Sequence, residues 1–329
     1  MTQCLLLLPV GNRDRIYGNQ HVEALAGLTD LTDCCGLVGD LESLRPHLAD
    51  AEIICSGWGM MPLDEDFLDA APELQAVFYG AGSVRGFVTD AFWDRDILLT
   101  SAWAANAIPV AQTTVSMMVM GLKNAFESRR RTREEQSWVK AQPMRGVYGA
   151  KVGIIGVGQI GRKVVELLQS YDVELYCYDP YLTDETARDL SVTPMELDDM
   201  FRTCDVVSLH APNLPSTQNM LQGKHFASMK DGAVFINTAR GALIREDEMI
   251  EELKKERILA FLDVTSPEPP ESGSPLYNLD NVFLTPHLAG AMGEECKRMG
   301  AFVVEEVERF LRNESPAYPV TEDMMEWMA

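Results

Sequence analysis

"KVGIIGVGQIGRKVVELLQSYDVELYCYD", residues 151–179, is the stretch whose reading decides the fold. An apolar run ending at Ile155 gives way to Gly156, Gly158 and Gly161 in the spacing GxGxxG. Apolar residues then recur at helical spacing, and a second apolar run follows that closes on the acid Asp179. Strand, glycine turn, helix and strand in that order make a βαβ unit of a parallel sheet. The glycine pattern alone is weak, but this context makes it a phosphate site. Glycine permits the tight turn and a close backbone approach, while the helix N-terminus offers free N–H groups and a positive dipole end to a pyrophosphate. A carboxylate at Asp179 can accept hydrogen bonds from both ribose hydroxyls and would repel a 2′-phosphate. The following "PYLTDET" has no Lys or Arg to neutralise such a phosphate, so the dinucleotide expected is NAD and not NADP.

From this unit the α/β pattern runs on. Six apolar strands can be counted: 151–156, 173–179, 205–210, 233–237, 259–264 and 281–285. Helical stretches separate most of them; "REDEMIEELKKERI" (245–258) places acids early and Lys/Arg late, as the helix dipole prefers. A doubly wound parallel sheet of order 3-2-1-4-5-6 follows. In that order the fourth, fifth and sixth strands lie past the switch point. Arg240 follows the fourth, Glu268 the fifth and His287 the sixth. A guanidinium, a carboxylate and an imidazole therefore converge at the carboxyl edge, on the nicotinamide side. Singly, each residue has an ordinary structural explanation; jointly, beside a dinucleotide turn, they read as a catalytic group.

The first hundred residues form an α/β series of their own, with strands in "CLLLLP", "AEIICSG", "LQAVFYGAG" and "DILLTSA". A long helix is expected over 106–126, its methionines packing in the core. The last forty residues read as one amphipathic helix and a short tail.

The bulk composition bounds the partners. With 28 Lys plus Arg against 50 Asp plus Glu, a net charge of −22, nucleic acid is an improbable ligand. The one basic cluster, "SRRRTREE" (128–135), is interleaved with glutamate and reads as a solvated helix end or a subunit contact. No apolar run is long enough for a membrane span. The N-terminus lacks the basic start of a leader, so it reads as a first buried strand. Seven cysteines without a CxxC pair suggest free thiols in the cytoplasm, with no disulfide frame and no metal site.

Taken together, "GVGQIG", "VVSLHAPNLPST", "INTARGALI", "LDVTSPEP" and "TPHLAG" resemble, in order and spacing, the D-isomer-specific 2-hydroxyacid dehydrogenase family over nearly the whole chain. The resemblance implies two doubly wound α/β domains, a Rossmann NAD-binding domain (104–291) inserted in a flavodoxin-like substrate domain (1–103 and 292–329). It implies a homodimer through the NAD domains, with 120–150 as the arm. Carried over, Arg240 would grip the substrate carboxylate, His287 would be the proton donor and Glu268 its partner. Asp179 would hold the adenosine ribose. Gly156, Gly158, Gln159, Ile160, Gly161, His210, Ala211, Pro212, Thr217, Ala239, Asp263, His287 and Ala289 would line the rest of the dinucleotide. In the substrate domain, "YGAGSV" would bind the substrate carboxylate through backbone amides, with Tyr79, Gly80, Ala81, Gly82 and Trp58 as its contacts.

The activity implied is NAD-dependent interconversion of a small 2-keto acid and its D-2-hydroxy acid. The loop "CSGWGMM" (55–61) has no Lys or Arg, which favours an unphosphorylated substrate, with Arg85 the one basic residue that could alter this. Phosphoglycerate dehydrogenase is the alternative within the enzyme class; the basic-poor loop and the lack of a domain after the last helix speak against it. A dinucleotide-sensing interaction protein is the alternative outside that class.

Overall fold

The computed structural model describes residues 1–328, and the chain divides into two compact units. One comprises Met1–Asn106 with the C-terminal stretch from Ala291; the other is Ala107–Gly290.

The first unit is built on five parallel strands, β1 Gln3–Leu6, β2 Asp30–Asp33, β3 Ile53–Ser56, β4 Ala76–Tyr79 and β5 Leu98–Ser101, in the order β2-β1-β3-β4-β5. This is the flavodoxin-like order, whose switch point lies between β1 and β3. Strands β3 and β4 are buried on both faces, which is why they read as unbroken apolar runs. β2, "DLTD", is a correction to the four strands expected: it is a half-exposed edge strand without an apolar run to betray it. The helix Glu295–Leu311 completes this unit by packing Met299, Phe302, Val303 and Val307 in one cluster with Leu6, Cys55 and Phe78. Gly300 lets it approach closely, since a β-carbon there would collide with the carbonyl of Ile16.

The second unit carries seven parallel strands: β6 Ala150–Ile155, β7 Val173–Tyr178, β8 Thr193–Pro194, β9 Val206–Leu209, β10 Val234–Asn237, β11 Leu259–Leu262 and β12 Val282–Leu284. Their order is β12-β11-β10-β9-β6-β7-β8. The count of six omitted β8, an exposed two-residue edge strand ending in proline. Each later strand therefore stands one place further along, and it is β9, not β10, that pairs with β6. The 3-2-1-4-5-6 core is retained with β12 added at the edge. β10, β11 and β12 still lie on the far side of β6 from β7.

The long helix also differs from expectation. It runs Trp103–Leu122 and is broken at Asn124, a residue with φ 44°, before a separate helix Ala125–Glu134. Arg130 in that second helix pairs with Glu127 and Glu134, and Arg131 with Glu135, so two of the four arginines of the basic cluster are paired with its own acids. No helix among the described residues is long and apolar enough to cross a membrane.

Candidate active site

The glycine turn leaves β6 and enters the helix Gln159–Leu168. Gly156 has φ 87°, and a β-carbon on it would stand 2.7 Å from the amide nitrogen of Ala211. At Gly161 a β-carbon would collide with the carbonyl oxygen of Gly156. Gly158 differs: a β-carbon there meets nothing within 4 Å. Two glycines therefore let protein pack on protein, while the third opens toward free space at a helix end with no side-chain cap. That is the room a pyrophosphate needs beside free N–H groups. Gln159 is exposed and Ile160 half-buried at the same helix end.

Asp179 follows β7. Its two carboxylate oxygens accept from Val157 N at 2.7 Å and Tyr181 N at 2.8 Å, which fixes the group beside the glycine turn with lone pairs to spare. Across the turn stand buried His210 and Ala211, with half-buried Pro212, after β9. His210 Nε2 meets Ser208 Oγ at 2.8 Å, and its buried Nδ1 has no protein partner. Burial pushes its pKa from 6.5 down to about 3, so this imidazole is neutral. An orphaned nitrogen beside the glycine turn is the kind of group a bound dinucleotide satisfies. Thr217 uses its hydroxyl inside its own turn, donating to Pro212 O at 2.6 Å and accepting from Leu214 N at 2.9 Å.

Beyond β10 the chain makes a turn stapled by Asn237, whose Oδ1 accepts from Ala239 N and whose Nδ2 donates to Arg240 O. Arg240 is half-buried, and its Nη1 donates to Ala239 O at 2.7 Å. Burial lowers its pKa and the charge of Glu268 opposes that fall. Gly241 lets this turn abut the loop after β11, because a β-carbon there would collide with the carbonyl of Thr265.

That neighbouring loop carries Glu268, whose Oε1 lies 2.5 Å from Nδ1 of His287. A carboxylate can only accept, so Nδ1 carries the proton and Nε2 is left to face a reactant. His287 has φ 50°, a conformation side chains rarely adopt. Buried Asp263 accounts for it: the carboxylate accepts from Thr285 Oγ1, Leu288 N and Ala289 N, and its carbonyl from His287 N. The residue expected only as a dinucleotide contact thus fixes the turn that presents the imidazole. Ala239 and Ala289 are buried in these turns.

On the other unit, Ser101 Oγ bonds the carbonyls of Ala81 and Gly82 at 2.8 and 2.5 Å. Carbonyl and N–H point oppositely across one planar peptide, so the amides of Gly82 and Ser83 are turned away from Ser101. Gly80 begins this turn with its N–H on Ser56 O. Tyr79 is a correction: its ring packs on Phe87 at 4.6 Å in the core of its unit, and burial pushes its phenol up to about 12. It supports the loop from behind instead of presenting a contact surface. Arg85, whose role the sequence left open, is placed by the structure. Its guanidinium donates to the carbonyls of Met325 and Met328, so it is tied to the C-terminal turn. Half-buried Trp58 instead has Arg15 over its ring, with Cζ 4.7 Å from the centroid, a cation the sequence reading missed.

Residues 115–289 match the family model of the D-isomer specific 2-hydroxyacid dehydrogenase NAD binding domain. The chain belongs to this family. Its central unit is accordingly a Rossmann-type NAD-binding domain. The D-3-phosphoglycerate dehydrogenase of Methanocaldococcus jannaschii is 30% identical over 299 residues, 89% of this chain and 54% of that protein. A glyoxylate reductase of Korarchaeum cryptofilum is 29% identical over 269 residues, 80% of this chain and 81% of that protein. The chain spans about half the length of the first of these relatives. The NAD-complexed D-isomer specific 2-hydroxyacid dehydrogenase of Lactobacillus delbrueckii ssp. bulgaricus shares the fold, with a TM-score of 0.80 at 21% identity over 96% of this chain and 100% of that one.

Proposed function

We propose that this 2-hydroxyacid dehydrogenase family member reduces a small 2-keto acid to the D-2-hydroxy acid with NADH, or runs the reverse oxidation with NAD. The observation that carries the reading is the pair His287–Glu268 at 2.5 Å, one turn removed from a fixed cation at Arg240. NAD, when bound, supplies or accepts the hydride. Arg240 grips the substrate carboxylate through paired hydrogen bonds that a planar, always-charged guanidinium can make. It also draws electron density toward the reacting carbonyl oxygen. His287 gives its Nε2 proton to that oxygen in reduction and takes it back in oxidation. Glu268 accepts from Nδ1 and holds the ring with Nε2 outward. The outward amides of Gly82 and Ser83 are themselves suited to accept a carboxylate as hydrogen-bond donors. Asp179 sets the preference for NAD over NADP by repelling a 2′-phosphate.

The enzyme is a homodimer in this reading, with 120–150 as its arm, supported by Trp138 at 98% and Tyr148 at 82% exposure in that segment. The free cysteines, most of them buried, support a cytoplasmic site of action. NADH oxidation over a panel of glyoxylate, hydroxypyruvate, pyruvate, phenylpyruvate and 3-phosphohydroxypyruvate tests the activity. Turnover of at least one is expected. Tight NADH binding with no turnover of any would overturn the reading in favour of a sensing role.

A further inference from the structure

We propose that Glu246 is a positioning residue for this reaction: it ties the loop that presents Glu268 to the helix that follows Arg240, and through Glu268 it fixes the ring of His287. This deepens the dehydrogenase reading and rests on it. Along the chain, Arg240 leads into a short turn, Gly241–Leu243, and then into the helix Glu246–Leu253. Glu268 lies in the loop that leaves β11, beyond Asp263 and Thr265. The first residue of the helix bonds across from the one segment to the other: Glu246 Oε2 accepts from Ser266 N at 2.9 Å.

The loop needs that tie. The side chains of Glu268 and His287 are 40% and 46% exposed, so packing does little to hold either. Upstream, buried Thr265 donates its hydroxyl to Pro267 O at 2.7 Å, and Gly241 lets Thr265 lie against the Arg240 turn. Pro267 has no N–H to give, so the amide of Ser266 is what attaches the exposed stretch to the helix. Glu268 follows two residues later. A displaced Ser266 amide displaces its carboxylate, and the hydrogen bond to His287 Nδ1 weakens steeply with misalignment.

Its surroundings set Glu246 apart from an ordinary acid at a helix start. Any acid in the first turn suits the helix dipole, and Asp247 and Glu248 already supply that charge. Glu246 is half-buried and turned to the neighbouring loop. Among the described residues, burial holds two carboxyls above their usual range, Glu246 and Glu306. Arg309 lies 3.5 Å from Glu306, whereas the group that opposes burial at Glu246 is the Ser266 amide. A carboxylate kept partly out of water without a cation destabilises the fold unless it is hydrogen-bonded. That penalty is offset only while the loop carrying Glu268 stays in place.

The test compares Glu246→Ala, which removes the acceptor, with Glu246→Gln, which keeps an acceptor oxygen, each with Glu268 intact and in a Glu268→Gln background. The readouts are kcat on the best 2-keto acid, the NADH dissociation constant and the ring-nitrogen NMR shifts of His287. Glu246→Ala should lower kcat about tenfold with NADH binding unchanged, the effect of one charge-assisted hydrogen bond to the loop. Glu246→Gln should keep most of the activity. In the Glu268→Gln background the alanine substitution should cost less than about twofold, since a residue that acts through Glu268 has nothing left to act on. The shifts of the neutral ring should place its proton on Nδ1 in the wild type and spread it over both nitrogens in Glu246→Ala. A full tenfold loss in both backgrounds, a matching loss of NADH affinity, a glutamine variant as slow as alanine, or an unchanged tautomer in Glu246→Ala overturns the role of Glu246. No turnover of any 2-keto acid by the wild type overturns the dehydrogenase reading alone, because the His287 tautomer still decides whether Glu246 positions the pair.

Discussion

Two histidines stand at the carboxyl edge of the same seven-stranded sheet, and their surroundings are opposite. His210, after β9, is buried, bonded to a hydroxyl and held near pKa 3 by the loss of water around it. His287, after β12, is 46% exposed and bonded to a carboxylate. The first can only be a neutral wall; the second is open to a reactant. Position on the sheet brought both to the edge, but burial and the neighbouring group decide which of them the proposed chemistry can use.

Substitutions can break this contrast. His287→Gln should lower kcat about a hundredfold to ten-thousandfold, the usual worth of a positioned general acid, with NADH affinity nearly intact by fluorescence titration. His210→Gln should leave a far larger share of turnover; an equal collapse in the two variants would erase the distinction. Glu268→Gln replaces the carboxylate that accepts from Nδ1 and holds the ring, so kcat should fall, though by less than in His287→Gln. An unchanged kcat would take Glu268 out of its role.

His210 also makes a smaller, thermodynamic mark. Its folded pKa of about 3 lies below the unfolded value of 6.5, so as the pH falls the unfolded chain takes up the proton first. Its contribution is complete above that unfolded value and is lost progressively as pH falls toward the folded one. Between pH 7 and 5.5 the wild type should lose about 1 kcal/mol more than His210→Gln in denaturant titrations. Equal losses would show that this imidazole is not held neutral.

The ribose site gives the last of the expected differences. With Asp179 in place, kcat/KM should favour NADH over NADPH about tenfold or more, and Asp179→Ser should narrow the ratio. Equal use of both cofactors by the wild type would contradict the repulsion argument.

Legibility in the sequence followed contiguity. The turn at Gly156–Gly161 and the strands of the central sheet could be read because each is a short run with its own signature. Arg240, Glu268 and His287 could be placed because each directly follows such a strand. β2 and β8 were invisible: "DLTD" and "TP" are exposed edge pieces with no apolar alternation. The break at Asn124 was hidden for a related reason, since apolar spacing continues through it into Phe126. The partners of Asp263 and the stacking of Arg15 on Trp58 are products of the fold, joining residues that no local pattern links. Tyr79 misled in the opposite sense. It stands beside a glycine-rich loop, yet strand alternation turns its ring into the core.

Arg240 is the point at which the account is most exposed, because the chemistry needs a fixed cation beside the His287–Glu268 pair. The deciding measurement is kcat/KM of Arg240→Ala on the best 2-keto acid, taken together with its NADH dissociation constant. Turnover is expected to fall by about a thousandfold or more while NADH binding changes little, since a paired charge-assisted contact to substrate is lost and the dinucleotide turn is not. Near-normal kcat/KM in that variant would show that the carboxylate is held elsewhere and would contradict the assignment of this site.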